Sequence, residues 1–545
     1  MAKSGGQLVV DALVENGVTQ VFGVPGESYL PVLDALHDAP QIRLTIARQE
    51  GGAAMMADAH AKLTGRPGIC LVTRGPGAAN AYAGVHVAAQ DSTPMIVLMG
   101  QVARGDMDRE AFQEVDVKAM FGDQVKWAAQ VNQTERLPEY MARAFSVAQS
   151  GRPGPVVLAL PEDVLSGTAD VAAAPASQPV SAHPDPEAIR RLGDMLHAAE
   201  RPLVIAGGPG WDAGLVDRFV AFAERWSLPV SCAFRAQDRF PNTHAQYAGD
   251  AGLGINPALA DAIRNSDLVI ALGARLGDCT TSGYTLFETP VPRQTLVHIH
   301  PEPDELGHVF QPTLPIAASV GAFLDAADAL ETPSKPVLKE WTTDLHAAYR
   351  GWTDQATAMP GTFNLGEAVI WLRENLPDDA ILTNGAGNYA AWLHRFYRHR
   401  RYRTQVAPTS GSMGYGLPAA VAAKLAEPGR PVVALAGDGC LQMTIQELGT
   451  VAQERLGIIV LVVNNSMYGT IRMHQEMHYP GRISGTSLDN PDFVALARAY
   501  GLEAERVAET GQFAPAMQRA LASDGASLIE IVTDPRALSP TRTLD

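Results

Sequence analysis

Short, almost purely aliphatic runs are the feature that most limits how this chain can fold. Runs rich in valine, isoleucine and leucine end at glycine, proline or polar residues, and they alternate with longer helical patterns along the sequence. The clearest runs are PGICLVTRGPG, TPMIVLMGQ, RPLVIAGGPG, SDLVIALGAR, PVVALAGDG and GIIVLVVNN. Strands that are apolar on both faces are typical of parallel sheets covered by helices. We therefore expect an α/β protein built from doubly wound parallel sheets.

The length of the chain and two irregular stretches predict three domains. The 545 residues exceed the roughly 250 to 300 at which a single core stops growing. Residues 172–187 (AAAPASQPVSAHPDPE) and 331–336 (ETPSKP) lack periodicity, and a tethering helix is expected near 337–354. We predict an N-terminal domain at 1–170, a central domain at 186–330 and a C-terminal domain at 360–535.

The acidic composition limits the partners of this chain. Its formal net charge of -17 opposes attraction to nucleic acid or to anionic membranes. No apolar run reaches the length of a membrane span, and the amino terminus lacks a signal-peptide pattern. Cysteines 70, 232, 279 and 440 have neither disulfide-framework nor zinc-site spacing. We expect a cytoplasmic protein that holds any anionic ligand in a local site.

A single aspartate between two glycines follows the predicted strand PVVALA. Asp438 would lie at the carboxyl end of that strand, where open α/β sheets bind ligands. The next predicted strand ends at Asn464 and Asn465, which would reach the same edge of the sheet. Gly-Asp-Gly alone is usually a tight turn, but carboxylate and amide oxygens at one edge favour a Mg²⁺ ion. Glycines on both sides allow a phosphate group to approach the backbone.

These two segments resemble the cofactor motif of the thiamine diphosphate enzymes, in which GDG is followed at this spacing by NN. The resemblance implies that Asp438, the side chain of Asn465 and the main-chain carbonyl of Met467 bind Mg²⁺. It also implies a second loop over the diphosphate, which the segment GAGNYA would form. The glycines that the resemblance places at the cofactor are Gly387, Gly437, Gly439 and Gly469.

Two further segments extend the resemblance to the reactive part of the cofactor. TSGSMGYGLPAA resembles the segment whose large apolar residue bends the cofactor, a place that Met413 takes. ARQEGGAAMMADAHAKLTG resembles the segment whose glutamate exchanges a proton with the aminopyrimidine, a place that Glu50 takes. A helix-start glutamate is ordinarily an exposed residue favoured by the helix dipole, so this role depends on the other segments. In the family these segments meet between subunits, which implies a homodimer or homotetramer.

The resemblance covers nearly the whole chain and is strongest for the acetolactate synthase branch, through FGVPGESYLPVLDAL, TRGPGAANA, DSTPMIVLMGQV and AFQEVD. By matching place, Thr73 and Gly75 would line the pyrimidine, while Phe112 and Gln113 would approach the reacting carbons. Simple decarboxylases of the family carry histidines near Gln113 or at Thr73, so a carboligase is favoured. The resemblance implies that two pyruvates become 2-acetolactate and CO₂, with thiamine diphosphate and Mg²⁺ as cofactors.

Two departures from that branch leave the substrate open. Gly26 is followed by Glu27 where the branch has a second glycine, and a carboxylate there would repel an acidic substrate unless protonated or paired. His474 takes the place of a tryptophan that favours larger acceptors, although an exposed loop histidine is the commoner explanation. We expect Gly26, Glu27 and His474 near the substrate. An acyl-CoA lyase, a sulfoacetaldehyde acetyltransferase-like enzyme and an aldehyde carboligase remain alternatives.

The central domain raises the question of a flavin. The segments RPLVIAGGPGW, GDAGLG and ALGARLGD suit a nucleotide diphosphate, but HIHPEPDE at 298–305 replaces the acidic stretch of flavin-binding relatives. FAD, ADP, CoA and an empty domain all stay open. A flavin or nicotinamide oxidoreductase is the alternative from another class, although GAGNYA lacks the later acidic residue of a dinucleotide fingerprint. The basic stretch at 394–403 fits a CoA contact or, more commonly, a solvated surface.

Overall fold

Three α/β domains follow one another along the chain, as predicted. The computed structural model describes residues 2–332 and 339–544, and each domain is built on a six-stranded sheet in which all strands are parallel. Within the described residues, no helix combines the length and apolarity that a membrane crossing requires. Two short antiparallel pairs complete the strands: Lys3–Ser4 with Thr168–Ala169, and Ala537–Ser539 with Arg542–Thr543.

The N-terminal sheet has the spatial order 2-1-3-4-6-5 when its strands are numbered along the chain. In that spatial order the strands are Arg43–Ile46, Gln20–Gly23, Gly68–Val72, Met95–Gln101, Pro155–Pro161 and Trp127–Gln130. The aliphatic runs form the inner strands, which are buried along their whole length. The helices are Gly5–Glu15, Leu30–His37, Glu50–Thr64, Pro76–Asp91, Val117–Phe121, Leu137–Gln149 and Glu162–Ser166.

The central sheet has the different order 3-2-1-4-5-6, which is that of dinucleotide-binding folds. In spatial order its strands are Tyr247–Ala251, Val230–Ala233, Pro202–Ala206, Leu268–Leu272, Thr295–His300 and Leu314–Ala317. Its helices are Pro186–Ala198, Ala213–Trp226, Pro257–Asn265 and Val320–Ala327. The tethering helix is observed as Lys339–Thr353, and it packs on this domain through a hydrogen bond of 2.9 Å from Trp341 Nε1 to Pro202 O. Residues 333–338, from the second predicted linker and the start of that helix, lie outside the described residues.

The C-terminal sheet repeats the order of the N-terminal sheet. In spatial order its strands are Gln405–Val406, Ile381–Asn384, Val432–Gly437, Ile459–Asn464, Ser527–Val532 and Glu503–Val507. The helices are Leu365–Asn375, Tyr389–Phe396, Gly416–Ala426, Asp438–Gln442, Leu448–Glu454, Gly469–His478, Phe493–Ala499 and Thr510–Ala522. Helix Gly416–Ala426 packs against Glu50–Thr64, and one apolar cluster rich in alanine spans both domains. A helix that is apolar around its whole circumference is expected in such an interior.

Each sheet has one switch point, at which the strand order reverses and ligands bind in open α/β folds. In the two outer sheets it lies between the first and third strands, which end at Gly23 and Val72 in one and at Asn384 and Gly437 in the other. In the central sheet it lies between the strands that end at Ala206 and Leu272.

Candidate active site

A cavity of about 250 Å³ opens at the switch point of the C-terminal sheet, and we name it the C-terminal cavity. It is lined by residues of the loops that follow the first, third and fourth strands and by the segment around Met413. All eight residues that the sequence predicts for this part of the site line it: Gly387, Met413, Gly437, Asp438, Gly439, Asn465, Met467 and Gly469. The structure therefore brings these residues together around one space.

Asp438 is a buried carboxylate at the wall of this cavity, with only 3% of its surface exposed. Its Oδ1 accepts a hydrogen bond of 3.0 Å from the Gly439 amide, and its Oδ2 accepts one of 2.8 Å from Asn490 Nδ2. Burial raises its pKa, while these hydrogen bonds act in the opposite direction. No basic side chain among the described residues forms an ion pair with it. Because an uncompensated buried charge is costly, a bound cation fits this site.

The loop after the fourth strand offers the other oxygen ligands. Asn465 and Met467 line the cavity, whereas Asn464 turns to Glu530 and Asn490, with hydrogen bonds of 2.7 and 3.0 Å. One carboxylate, one amide oxygen and one main-chain carbonyl form a hard ligand set that suits Mg²⁺. Within the described part of the chain no cluster of three histidine, cysteine or acidic residues could hold a metal instead. Asn490, which links Asp438 to Asn464, was not predicted.

Tyr389 lies between the two glycine-containing loops that the resemblance assigns to the diphosphate, and it was also missed. A Cβ atom on Gly387 would lie 2.8 Å from Tyr389 Cε1, and one on Gly437 would lie 2.9 Å from Tyr389 Cδ1. The Tyr389 hydroxyl accepts a hydrogen bond of 3.1 Å from the Gly385 amide and lies 3.2 Å from Cys440 Sγ. Burial raises the pKa of Tyr389, so it remains a neutral phenol. Its presence explains why both loops need glycine at these points.

A second group of predicted residues meets at the switch point of the N-terminal sheet. A Cβ atom on Gly26 would lie 2.6 Å from Thr73 Cβ, and one on Gly77 would lie 2.8 Å from Thr73 Cγ2 and 3.1 Å from Glu50 Oε1. Glu50 is buried, and its Oε2 accepts a hydrogen bond of 2.9 Å from Asn80 Nδ2. Glu27, the residue that follows Gly26, is exposed. Glu50 thus stands beside the glycine-rich loop that the resemblance assigns to the pyrimidine.

Arg74 anchors the loop that carries Phe112 and Gln113. Its Nε donates a hydrogen bond of 3.0 Å to the Phe112 carbonyl, and its guanidinium pairs with Glu162. A Cβ atom on Gly75 would lie 2.6 Å from the Gln113 carbonyl oxygen, so the two loops touch. The Phe112 side chain is nevertheless 73% exposed. The Phe112 side chain is therefore exposed to solvent on a loop that contacts Gly75.

Glu447 links the two outer domains at the start of the helix that bears Glu50. Its Oε1 accepts hydrogen bonds of 3.0 and 3.1 Å from the amides of Arg48 and Gln49, and its Oε2 accepts one of 2.6 Å from Thr450 Oγ1. It is fully buried, and burial raises its pKa. This carboxylate of the C-terminal domain therefore positions Glu50, although it lies nearly 400 positions away in sequence.

The predicted residues around Glu50 and Thr73, which we name the N-terminal group, remain separate from the C-terminal cavity within one chain. Of the described residues, none before Met359 lines the C-terminal cavity. The predicted substrate residue His474 does not line it either. It lies on the exposed helix Gly469–His478, where its ring stacks on that of His478 with centroids 6.1 Å apart. Thr470, which does line the cavity, precedes His474 by one helical turn on the same side of this helix, and the His474 side chain is exposed beyond it.

A second cavity, of about 580 Å³, lies between all three domains, and we name it the central cavity. Gly208, Gly210 and Gly277 from two of the glycine segments line it, but GDAGLG does not. In place of the acidic stretch, His298 and His300 are buried, and burial lowers the pKa of both, that of His300 to about 4. From the basic stretch only Tyr402 and Arg403 reach the cavity.

Comparisons with known proteins agree with this architecture. Family models described as thiamine pyrophosphate enzyme match in three places: the N-terminal TPP binding domain at residues 3–120, the central domain at 189–327 and the C-terminal TPP binding domain at 385–531. The acetolactate synthase isozyme 2 large subunit of Escherichia coli is 33% identical over 97% of this chain and 96% of its own length. The acetolactate synthase large subunit of Corynebacterium glutamicum is 33% identical over 95% of this chain and 84% of its own. A probable acetolactate synthase large subunit of Methanocaldococcus jannaschii is 31% identical over 98% and 93%.

Proposed function

The chain belongs to the thiamine pyrophosphate enzymes, and from this premise we propose that it is an acetolactate synthase-like carboligase that uses thiamine diphosphate and Mg²⁺. It joins two molecules of pyruvate into 2-acetolactate and releases CO₂. The observation that carries the proposal is the C-terminal cavity, where one buried carboxylate, with no basic partner among the described residues, lies between glycine loops. The similarity to acetolactate synthases along nearly the whole chain supports the reaction type.

The residues of the C-terminal cavity hold the cofactor in this proposal. Asp438, Asn465 and the Met467 carbonyl bind Mg²⁺, and Met413 supports the bend of the cofactor. Gly387, Gly437, Gly439 and Gly469 let the backbone approach the diphosphate, and at the first two a side chain would collide with Tyr389. The bound cofactor supplies the electron sink for the carbanion that forms when a 2-keto acid loses CO₂.

In this proposal the N-terminal group exchanges a proton with the cofactor and contacts the substrate. Glu50 exchanges a proton with the pyrimidine N1′, and its orientation is fixed by Asn80 and by the Glu447 contacts to the preceding backbone. Thr73 and Gly75 line the pyrimidine. Phe112 and Gln113 approach the reacting carbons on a loop anchored by Arg74. Gly26 lies beside Thr73, and in this proposal it shapes the substrate entrance together with the exposed Glu27 that follows it.

A second copy of the chain completes each active site. Because the N-terminal group does not line the C-terminal cavity of its own chain, we propose a homodimer or homotetramer with Glu50 and Asp438 contributed by different subunits. The negatively charged cofactor is then enclosed between two subunits, although the protein as a whole is acidic. We place the enzyme in the cytoplasm.

The central cavity is the proposed site of FAD. Its position at the switch point of a sheet with dinucleotide-binding order supports this, as do its glycine-ended strands and its size, which falls in the range of ligand pockets. Buried, neutral His298 and His300 stand where flavin-binding relatives have acidic residues, so the sugar contact of those relatives is not available here.

The test is turnover of pyruvate by the purified protein, with and without thiamine diphosphate and Mg²⁺, with CO₂ and acetolactate measured together. We expect cofactor-dependent formation of acetolactate and CO₂ in equal amounts. Cofactor binding without consumption of pyruvate would shift the substrate to another 2-keto acid or an acyl-CoA. Absence of bound thiamine diphosphate would favour the oxidoreductase alternative.

A further inference from the structure

Arg235 is a buried cation that the proposed catalytic machinery does not use. It lines the central cavity just beyond strand Val230–Ala233, has 8% of its surface exposed and adopts a left-handed backbone with φ of 58°. Among the described residues no carboxylate forms an ion pair with it, and its Nε has no hydrogen-bond acceptor. The acidic side chain that acts on it, Asp91, is already paired with Lys62. Burial holds the pKa of Arg235 below its ordinary value.

A buried guanidinium without a counter-charge is unfavourable, so an anion beside it would stabilise the fold. Other arginines of the cavity are neutralised, Arg239 by Asp238 and Arg275 by Glu305. Arg403 resembles Arg235, because its Nε is also buried without a partner and no carboxylate in the described structure pairs with it. Asp278 also lines the cavity, but the basic residues of its lining outnumber the acidic ones: Lys62, Arg235, Arg239, Arg275 and Arg403 against Asp91, Asp238 and Asp278. The central cavity therefore carries a local excess of positive charge in a protein whose net charge is -17.

The hydrogen bonds of Arg235 cross into the C-terminal domain. Its Nη2 donates to the Gly385 carbonyl at 2.8 Å, and its Nη1 donates to the Pro408 carbonyl. Gly385 begins the loop whose next residues, 386 and 387, line the C-terminal cavity. Pro408 begins the segment in which residues 409 and 410 line the central cavity and residues 411 and 413 line the C-terminal cavity. One side chain thus contacts a loop of the C-terminal cavity and the segment that runs from the central cavity to the C-terminal one.

We propose that Arg235 couples the two cavities: the diphosphate of a nucleotide in the central cavity pairs with its guanidinium and thereby tightens binding of the thiamine cofactor. The inference rests on the proposed function. The anion fixes the guanidinium, which in turn fixes the Gly385 and Pro408 carbonyls and the loops that follow them. Because these loops are then already ordered, the entropic cost of binding the cofactor is lower. Coupling of this kind is reciprocal, so the thiamine cofactor tightens nucleotide binding by the same factor.

The first experiment needs no variant. Calorimetric titration of the cofactor-free protein with thiamine diphosphate and Mg²⁺ is made with no nucleotide, with saturating ADP and with saturating FAD. We expect the cofactor to bind about fivefold or more tightly with nucleotide present, and the reverse titration to give the same factor. Coupling by ADP as well as FAD means that the diphosphate half suffices, whereas coupling by FAD alone assigns the site to the dinucleotide. No nucleotide binding, or binding without coupling, would overturn the proposal.

Two variants locate the coupling. In Arg235→Gln we expect nucleotide binding to weaken about tenfold, as the loss of a charge-assisted hydrogen bond predicts, and the coupling factor to fall to about one. Arg403→Gln is the matched control, because it also removes a charge from the cavity. In the described structure the hydrogen bonds to the Gly385 and Pro408 carbonyls come from Arg235 and not from Arg403. The control should weaken nucleotide binding while the coupling factor persists. Arg235→Lys, which keeps the charge, should retain part of the coupling.

A coupling factor in Arg235→Gln equal to that of the unaltered protein would refute the role of this residue. Thermal melting of each variant separates loss of coupling from loss of fold. Where Arg235→Gln does not fold, the titrations of the unaltered protein still test the coupling, and Arg235→Lys tests the part that this residue plays in it. Acetolactate formation is measured separately. Acetolactate production without nucleotide coupling refutes this inference alone, whereas coupling without acetolactate refutes only the proposed reaction.

Discussion

In the described structure, the C-terminal cavity holds a buried carboxylate without a basic partner, whereas the central cavity holds a buried guanidinium without an acidic one. Asp438 is held by hydrogen bonds from Asn490 and Gly439, and Arg235 donates to two carbonyls. Asp438 follows a strand at the switch point of its sheet, whereas Arg235 follows the strand next to the switch point of a sheet with a different strand order. In our proposals, therefore, position in the fold selects where a ligand binds, and the sign of the buried charge selects between a metal and an anion.

Removing the carboxylate of the C-terminal cavity should have the largest effect. In Asp438→Ala we expect the affinity for thiamine diphosphate with Mg²⁺ to fall by about 100-fold or more, because even changes outside the ligand sphere of a metal cost about 10- to 100-fold. Titration of cofactor binding measures this loss. Asp524→Ala, which alters an exposed aspartate of the same domain, is the control. Binding near the level of the control would remove Asp438 from the metal site.

Glu50→Gln should separate proton transfer from cofactor binding. We expect exchange of the cofactor C2 proton to slow by about 100-fold or more, as loss of a general acid–base group predicts, with cofactor affinity nearly unchanged. Exchange into deuterated solvent, followed by proton NMR, is the measurement. An exchange rate equal to that of the unaltered enzyme would show that Glu50 does not serve this proton.

Glu447→Gln should have a smaller effect on the same exchange. The variant loses one of the acceptors that hold the Arg48 and Gln49 amides, so Glu50 becomes less well positioned, and we expect exchange to slow about tenfold. Asp438 is untouched, so Mg²⁺ affinity should be retained. Glu503→Gln, at an exposed glutamate of the same domain, should exchange normally. Equal exchange in both variants would assign Glu447 a purely structural role.

The smallest effect is expected from a half-buried acid, Asp250, which lies outside both cavities. Burial raises the pKa of Asp250 to about 7, above that of an aspartate in the unfolded chain. Its protonated form therefore favours folding at low pH, and this contribution is lost as the pH rises towards about 7. The melting temperature of Asp250→Asn, relative to that of the unaltered protein, should rise between about pH 5 and 7 and stay constant at higher pH. Cofactor and nucleotide binding should not change. A pH-independent difference would contradict this.

The parts of the site that the sequence predicts are those carried by short segments after strands. Asp438 and Asn465 follow neighbouring parallel strands, whose ends must share an edge, so their meeting is readable from the chain. Glu447 and Arg235 could not be predicted in this way, because each acts on backbone groups far away in sequence. His474 was placed by resemblance, and in the structure it is exposed one helical turn beyond Thr470, which lines the C-terminal cavity. The three parallel sheets were predictable because their strands are apolar on both faces.

The separation of the N-terminal group from the C-terminal cavity has a genetic consequence. If each active site takes Glu50 from one subunit and Asp438 from another, two inactive proteins can restore activity by exchanging subunits. A pair formed from a Glu50→Gln chain and an Asp438→Ala chain carries one doubly altered site and one intact site. Random pairing of equal amounts in a symmetric dimer should therefore recover about a quarter of full activity. Mixtures that stay inactive despite subunit exchange would mean that each chain builds its site alone.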